Sequence, residues 1–227
     1  MRLLPGAPTG PLTSPMNARQ SLISGGSLQD RSRPTAFSQS RIIRLEGTLA
    51  AALVVGALVW SWLRGLGLVG HLSASGSDLL IGLLAASALC LSLPFFTSTW
   101  ASHVLLLREM KGVWDDLLTP FGKSLTLAEI SALAALSGIS EEIFFRGAVQ
   151  GEIGILGASV LFGLLHPLNV SYVIWASSVG CAFGLLYQVT GSLLPPILCH
   201  GVYNLAALLY LRYWYLGESR DQLLLAR

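Results

Sequence analysis

The chain has 227 residues, of which 53% are hydrophobic and 11% are charged, and its net charge at neutral pH is +2. This composition, together with a positive mean hydropathy, is typical of polytopic helical membrane proteins and excludes an ordinary soluble domain. The basic residues are scattered rather than gathered in a patch with aromatic residues, so nucleic acid is not an expected partner. The cysteines lie in apolar stretches without CxxC spacing and predict neither a disulfide framework nor a thiolate metal site.

The chain divides by composition into a tail, a membrane domain and a short end segment. Residues 1–46 are rich in Ser, Pro, Gly and Arg and lack the apolar core of a secretory signal, so we expect a disordered N-terminal tail. An Arg-rich, Ser-rich and acid-poor segment is also typical of an organelle transit peptide, and that reading stays open beside a cytoplasmic anchoring tail. Residues 47–216 form the predicted transmembrane domain, and residues 217–227 form a short C-terminal tail.

Six apolar runs have the length, or nearly the length, that crosses about 30 Å of hydrocarbon. They lie at 47–69, 78–100, 125–150, 155–169, 171–190 and 193–215. The fold class that they predict is an all-α, polytopic helical membrane bundle of about six transmembrane helices. We expect Pro94 to kink the second run, and we expect the polar stretch from Arg108 to Lys123 to form an interfacial connection.

The distribution of basic residues predicts the topology. If the N-terminus is cytoplasmic, nearly all Lys and Arg residues lie on the cytoplasmic side, and Arg64 and Arg146 lie toward the other face. Both termini are therefore predicted to be cytoplasmic. The expected location is integral and multi-pass, in a bacterial inner membrane or in a thylakoid or other organelle membrane.

Three short polar motifs interrupt the apolar segments: EEIFFR from Glu141 to Arg146, FGLLH ending at His166, and HGVYN from His200 to Asn204. Ionisable side chains at membrane depth are costly, so such a cluster indicates a functional site. In each motif the decisive residues are four positions apart, which places them on one face of an α-helix.

The spacing predicts that the motifs meet. A helical hairpin brings together residues equidistant from its turn, and the midpoint between the Glu pair and His166 falls near Gly154. The last helix is predicted to open between Leu193 and Pro196, so His200 enters the membrane from the face of that hairpin. The carboxylates and both histidines are therefore expected to share one cavity.

Two adjacent carboxylates at low dielectric favour different roles. We interpret Glu141 as a general base toward water and Glu142 as a structural anion paired with Arg146. His166 either ligates a metal or positions the attacking water, while His200 and Asn204 supply donors for a tetrahedral oxyanion. These side chains suit peptide-bond hydrolysis. Alternatively, Zn²⁺ or another divalent metal is bound by three of these side chains, Glu141, His166 and His200.

The three motifs resemble the EExxxR, FxxxH and HxxxN signatures of the CAAX protease and bacteriocin-processing family of intramembrane proteases, which includes the type II CAAX prenyl endopeptidases. The resemblance covers residues 125–210 and implies a helical intramembrane endopeptidase acting on membrane-associated proteins or peptides. Its implied essential residues are Glu141, Glu142, Arg146, His166, His200 and Asn204. The family includes both metalloproteases and metal-free glutamate-type proteases, so metal dependence stays open. The resemblance also implies a cavity open to the cytosol, whereas the charge count places the cavity toward the non-cytoplasmic face.

Two other classes of function fit the sequence. An ion- or proton-coupled transporter would also carry Glu, Arg and His inside the membrane, although the helices show no inverted repeat. A non-catalytic membrane scaffold or bacteriocin-immunity protein would keep the polar core for structure alone. The expected partners are the lipid bilayer and a membrane-associated substrate, and the oligomeric state stays open.

Overall fold

The computed structural model describes residues 36–72 and 75–215. These residues are largely helical and include no β-strand, which confirms the prediction of an all-α helical membrane bundle. The longer helices are α1 (Ala36–Arg64), α2 (Gly76–Cys90), α6 (Leu127–Phe144), α7 (Gln150–Leu164), α8 (Val170–Thr190) and α9 (Leu194–Tyr213). The shorter ones are α3 (Ser92–Thr97), α4 (Leu105–Val113) and α5 (Thr119–Ser124). Most of the predicted N-terminal tail and all of residues 217–227 lie outside the described residues.

Five helical stretches are long and apolar enough to cross a membrane. They are Arg41–Arg64, Gly76–Thr97, Leu127–Leu164, Val170–Thr190 and Leu194–Tyr213. The predicted runs 125–150 and 155–169 thus form one helical stretch rather than two separate elements. This stretch contains two arms, each of which corresponds to one predicted run. The five stretches therefore account for all six predicted apolar runs.

The two arms meet at Gly154, where the backbone leaves the helical conformation with φ 71° and ψ 174°. Glycine tolerates this region because it has no Cβ. The rings of Phe145 and Phe162, on either side of the break, lie 5.1 Å apart, so the arms run side by side. The predicted turn near Gly154 is confirmed.

The predicted boundary at residue 46 is wrong, because α1 begins at Ala36. Ile43 packs against a buried cluster formed by Leu125, Ile130 and Leu133. These contacts give the first turns of α1 a surface on which to fold, so the helix continues beyond the apolar run.

Local sequence explains where several helices begin and end. The Thr126 side chain and Glu129 form a reciprocal capping box at the start of α6, and Asn169 caps α8. Gly191 ends α8 with a left-handed φ of 67°. The break after Cys90 has a simple cause: Pro94 has no N–H to donate to the carbonyl of Cys90, so α2 ends and α3 begins.

The predicted interfacial connection is a nearly continuous helical segment made of α4, a π-helical turn at Trp114–Leu118, and α5. Lys111 is 7% exposed and donates to Asp115 at 2.8 Å. Tyr215, which follows α9, also donates to Asp115. Burial lowers the pKa of Lys111, but the hydrogen bonds with Asp115 and Tyr215 outweigh that effect, and the pKa stands above its ordinary value. Burial, followed by the interaction with Asp115, raises the pKa of Tyr215 to about 12. This polar cluster fastens the connection to the end of α9.

Close backbone contact brings α6 and α9 together. A Cβ added to Gly138 would lie 2.8 Å from the Cα of Gly201, so only glycine fits at this crossing. Small residues of this kind let helices approach where lipid provides no hydrophobic driving force between them. The crossing lies one residue from His200 and three from Glu141, and it therefore sets the distance between two of the motifs.

Candidate active site

A cavity of about 320 Å³ lies among the helices that carry the three motifs. Aromatic and aliphatic side chains form most of its wall, including Trp114, Phe162 and Trp175. Its polar lining residues are Glu46, Ser137, Glu141, His166, Tyr172, His200, Tyr203 and Asn204. Glu141, His166 and His200 line this cavity as predicted, whereas Glu142 does not line it and is buried against His200.

Glu142 is the anionic centre of a buried polar cluster. Its Oε1 accepts a hydrogen bond from Arg146 Nη1 at 3.1 Å and lies 2.8 Å from His200 Nδ1. The side chains of Glu142 and Arg146 are fully buried. Arg146 also donates to the carbonyl oxygen of Gly180 at 2.6 Å. The predicted pairing of Glu142 with Arg146 is confirmed, and His200 is a second donor to the same oxygen.

The surroundings of Arg146 explain how a guanidinium is held at this depth. It lies over the ring of Phe162 at 5.0 Å and over the ring of Phe183 at 5.4 Å. Cation–π contacts of this kind strengthen when water is excluded. Arg146 is the second residue of a π-helical turn, Phe145–Val149, that joins α6 to α7. Turns of this type occur often at functional sites.

The hydrogen bond to Glu142 determines which nitrogen of His200 carries a proton. A carboxylate that is paired with Arg146 accepts hydrogen bonds, so Nδ1 of His200 carries the hydrogen. Nε2 is then the ring atom that remains available for chemistry. The stacked ring of Phe183, at 5.0 Å, fixes the plane of this imidazole.

Glu141 and His166 face each other from the two arms that meet at Gly154. Glu141 Oε2 lies 3.7 Å from His166 Nε2, and this oxygen has no hydrogen-bond partner in the part of the chain that is described. His166 Nδ1 is 2.7 Å from the carbonyl oxygen of Phe162 and therefore carries the hydrogen of that contact. Neutral His166 thus presents the lone pair of Nε2 toward Glu141.

Asn204 lines the same cavity one helical turn beyond His200 on α9. Its Nδ2 donates to Ser137 Oγ at 2.9 Å, which orients the amide. The structure therefore places Asn204 beside the cluster, with Ser137 as the partner that holds its side chain.

The alternative metal-ligand set is not assembled. Among residues 36–72 and 75–215, no group of three or more His, Cys, Asp or Glu side chains is positioned to hold a metal ion. Each histidine has Nδ1 engaged, His200 with Glu142 and His166 with a backbone carbonyl, and this pattern leaves Nε2 available and also occurs in histidines that ligate a metal. The ring of Phe162 packs against both imidazoles, at 4.6 Å and 5.8 Å, and helps to keep them apart. Metal binding by Glu141, His166 and His200 stays a prediction.

Sequence reasoning missed some of the side chains in this cavity. Glu46 was assigned to the tail, and Tyr172 lies outside all three motifs. A lone acidic residue at the start of an apolar run was the available signal for Glu46. Tyr172 gave no signal, because a tyrosine near a helix end is ordinary in a membrane protein.

The cavity lies toward one end of the helical bundle. One end of the cavity is lined by the first turns of α1, by α5 and by the last turns of α9. Ile42, Phe121 and Leu211 are the respective lining residues. Most basic residues of the described chain lie at this end, which we call the basic end: Arg41, Arg44, Arg108, Lys111, Lys123 and Arg212. The break at Gly154 and the Arg64–Glu152 ion pair mark the opposite end.

The depth of the Glu pair explains why spacing alone does not predict the membrane face. Glu141 lies 14 residues after the start of α6 at Leu127 and 13 residues before Gly154. At 1.5 Å per residue, the carboxylate is about equally far from both ends. The spacing along α6 therefore fits either membrane face, and the face to which the cavity opens stays a prediction.

Residues 123–206 match the family described as type II CAAX prenyl endopeptidase Rce1-like. The chain is also 30% identical over 98 residues to the uncharacterized protein YpbD of Bacillus subtilis (strain 168). That alignment covers 42% of this chain and 52% of YpbD, so the chain matches about half the length of this relative. No solved structure matches. The matched segment, which is similar to this family, carries Glu141, His166 and His200.

Proposed function

We propose that this protein is an intramembrane endopeptidase that hydrolyses a peptide bond of a membrane-associated protein or peptide. The family match supports a CAAX-type endopeptidase, and the apolar helices support a multi-pass membrane protein. The observation that carries the proposal is the approach of Glu141 Oε2 to His166 Nε2 across 3.7 Å.

These two atoms are both acceptors when His166 is neutral. A gap of this width suits a water molecule that donates one hydrogen to each. Such a water has its oxygen lone pairs free for attack, and its proton has a carboxylate within reach. Glu141 is suited to the role of base because its side chain is 11% exposed and, in contrast to Glu142, has no basic partner within hydrogen-bonding distance in the described chain.

In the proposed reaction, Glu141 takes a proton from the water as the oxygen attacks the carbonyl carbon of the substrate. The carbonyl oxygen becomes an oxyanion in the tetrahedral intermediate. Glu141 then delivers its proton to the amide nitrogen, the C–N bond breaks, and the products are a carboxylic acid and an amine. His166 orients the water through Nε2. During attack, its lone pair also stabilises the positive charge that develops on the water.

His200 and Asn204 are proposed to stabilise the oxyanion. Because Nδ1 of His200 donates to Glu142, Nε2 becomes a donor only in the protonated imidazolium form. Glu142 and Glu141 balance the charges of Arg146 and this imidazolium. The amide of Asn204, held by Ser137, is the second donor. Donors that are oriented in advance of reaction lower the barrier most.

The proposal contains no metal step, because the histidines and Glu141 do not form a ligand set in this geometry. Water activation is assigned to the carboxylate of Glu141 alone. This choice corresponds to the glutamate-type alternative, and the effect of chelators tests it directly.

The cavity is proposed to open to the cytoplasm. Its walls lie at the basic end, and basic residues favour the cytoplasmic side of a membrane. This orientation keeps the predicted cytoplasmic placement of both termini. A substrate would then be a membrane-associated segment that enters from the cytoplasmic leaflet, whether or not it carries a lipid.

The experiment compares membrane and soluble peptides by mass spectrometry from cells that carry wild-type protein or Glu141→Gln at equal abundance. The substitution removes the base and keeps the shape of the side chain, so we expect fragments that appear only with the wild type. Glu152→Gln is the matched control, because Glu152 pairs with Arg64 at the opposite end. Equal fragment sets for all three proteins, with all three folded, would favour the scaffold or immunity alternative.

A further inference from the structure

An acidic side chain from outside the motifs, Glu46 of α1, lines the cavity beside the site. It is partly buried, and Glu141, His166 and His200 are close enough to interact with it electrostatically. Within the described ranges, Glu46 has no hydrogen-bond or ion-pair partner. A carboxylate in a largely apolar cavity is costly unless a cation accompanies it.

The charges around the cavity leave Glu46 without a counter-charge. Arg146 and a protonated His200 balance Glu142 and Glu141 in the proposed mechanism. No Lys or Arg is among the described residues that line the cavity. A cleft lined by one sign of charge attracts a group of the opposite sign.

Glu46 has no direct contact with the two histidines and is not part of the proposed proton transfer. His166 lies within ion-pair distance of Glu141, and His200 lies within that distance of Glu142. Neither imidazole has such a contact with Glu46 in the part of the chain described. Glu46 is therefore beside the reacting groups but separate from their hydrogen-bond network.

We propose that Glu46 determines specificity by receiving a cationic group of the substrate, a Lys or Arg side chain or a free amino group, next to the peptide bond that is cleaved. The inference rests on the proposed function and adds the substrate class. Because Glu46 neighbours Glu141, a cation bound there lies beside the attacked carbonyl group. The apolar wall accepts the adjoining part of the substrate.

The test uses the full chain in lipid nanodiscs and peptides of one apolar sequence in which each position in turn carries Lys, Gln or Glu. We expect the wild type to cleave the peptide with Lys at one position about tenfold faster than the Gln peptide, as a charged hydrogen bond allows. Glu46→Gln should lower the Lys rate to the Gln rate and leave the Gln rate unchanged. Glu46→Lys should cleave the Glu peptide faster than the Lys peptide.

Glu152→Gln is the control, and it should keep the Lys preference because its carboxylate lies at the opposite end with Arg64. Equal rates for Lys and Gln peptides with wild-type protein would overturn the inference. A loss of rate in Glu46→Gln that is the same for every peptide would also overturn it, because that result indicates a catalytic or structural role.

A binding measurement separates this inference from the proposed function. Fluorescently labelled versions of the same peptides are titrated against Glu141→Gln protein and against the Glu46→Gln/Glu141→Gln double variant. If wild-type protein cleaves no peptide but the single variant selects the Lys peptide and the double variant does not, hydrolysis fails and recognition stands. If neither variant selects Lys, recognition by Glu46 is wrong whatever the outcome for cleavage.

Discussion

Nδ1 of His200 lies 2.8 Å from Oε1 of Glu142, and this contact joins α9 to α6 at the centre of the bundle. The same oxygen accepts a hydrogen bond from Arg146. One buried carboxylate therefore neutralises the guanidinium and also sets the tautomer of the imidazole. This dual role explains why the adjacent carboxylates differ, with Glu142 serving the structure and Glu141 left to face the cavity.

Arg146→Met tests the structural role of this pair. The substitution leaves the charge of Glu142 buried with only His200 beside it, and we expect a loss of about 3–5 kcal/mol in the free energy of unfolding. Unfolding in mild detergent is followed with a thiol-reactive dye, since Cys199 is free and buried. The Glu142→Gln/Arg146→Met variant should be more stable than Arg146→Met, because it removes the unpaired charge. A double variant that is no more stable than the single one would contradict this assignment.

Chelation tests the absence of a metal step. We expect purified protein to keep its peptidase activity after prolonged treatment with 1,10-phenanthroline and EDTA, because no set of three ligands is assembled in the described chain. Metal content is measured on the same samples, and a zinc peptidase treated in parallel shows that chelation was effective. Activity that is lost on chelation and restored by Zn²⁺ would show that Glu141, His166 and His200 move together as ligands.

Gly154→Ala tests the turn between the two arms. The φ of 71° and ψ of 174° at Gly154 belong to a region that is almost restricted to glycine, so we expect a cost of about 1–3 kcal/mol. Gly151→Ala is the matched control, because Gly151 has helical geometry and an added Cβ meets nothing within 4 Å. It should be neutral or slightly stabilising. Equal thermal stability of the two variants would show that the turn does not depend on this conformation.

Gly138→Ala tests the crossing of α6 and α9. The added Cβ would lie 2.8 Å from the backbone of Gly201, and overpacking of this kind costs about 1–3 kcal/mol. Gly201→Ala is the control, since its added Cβ would approach Ala134 O at 3.4 Å, an ordinary contact. We expect Gly138→Ala to lower both thermal stability and peptidase activity more than Gly201→Ala does. The reverse order would mean that the crossing is not the constraint on His200.

The convergence of the motifs was predictable because it depends on helical periodicity and on one turn. The spacing of Glu142 and Arg146 implies one helix face, and the contact is present. The midpoint between the Glu pair and His166 falls on the glycine at which the chain reverses. Such predictions succeed because 3.6 residues per turn and a hairpin leave few other arrangements.

Predictions that depended on packing between distant segments were less successful. The tail was predicted to extend to residue 46, but Ile43 finds a surface on Leu125 and its neighbours, and the helix begins at Ala36. The same extension brings Glu46 into the cavity. Neither contact leaves a trace in local composition, because the partner residues lie far away in the sequence.

The amino-acid sequence by itself determined the helical membrane class, the three polar faces, the fold-back near Gly154 and the family resemblance of the motif segment, since each follows from hydropathy, periodicity and residue identity. The tertiary structure decided which carboxylate is paired, which end of the bundle the cavity occupies, and that Glu46 lines this cavity. These features depend on distances between side chains of different helices, and such distances are set only when the helices pack against one another.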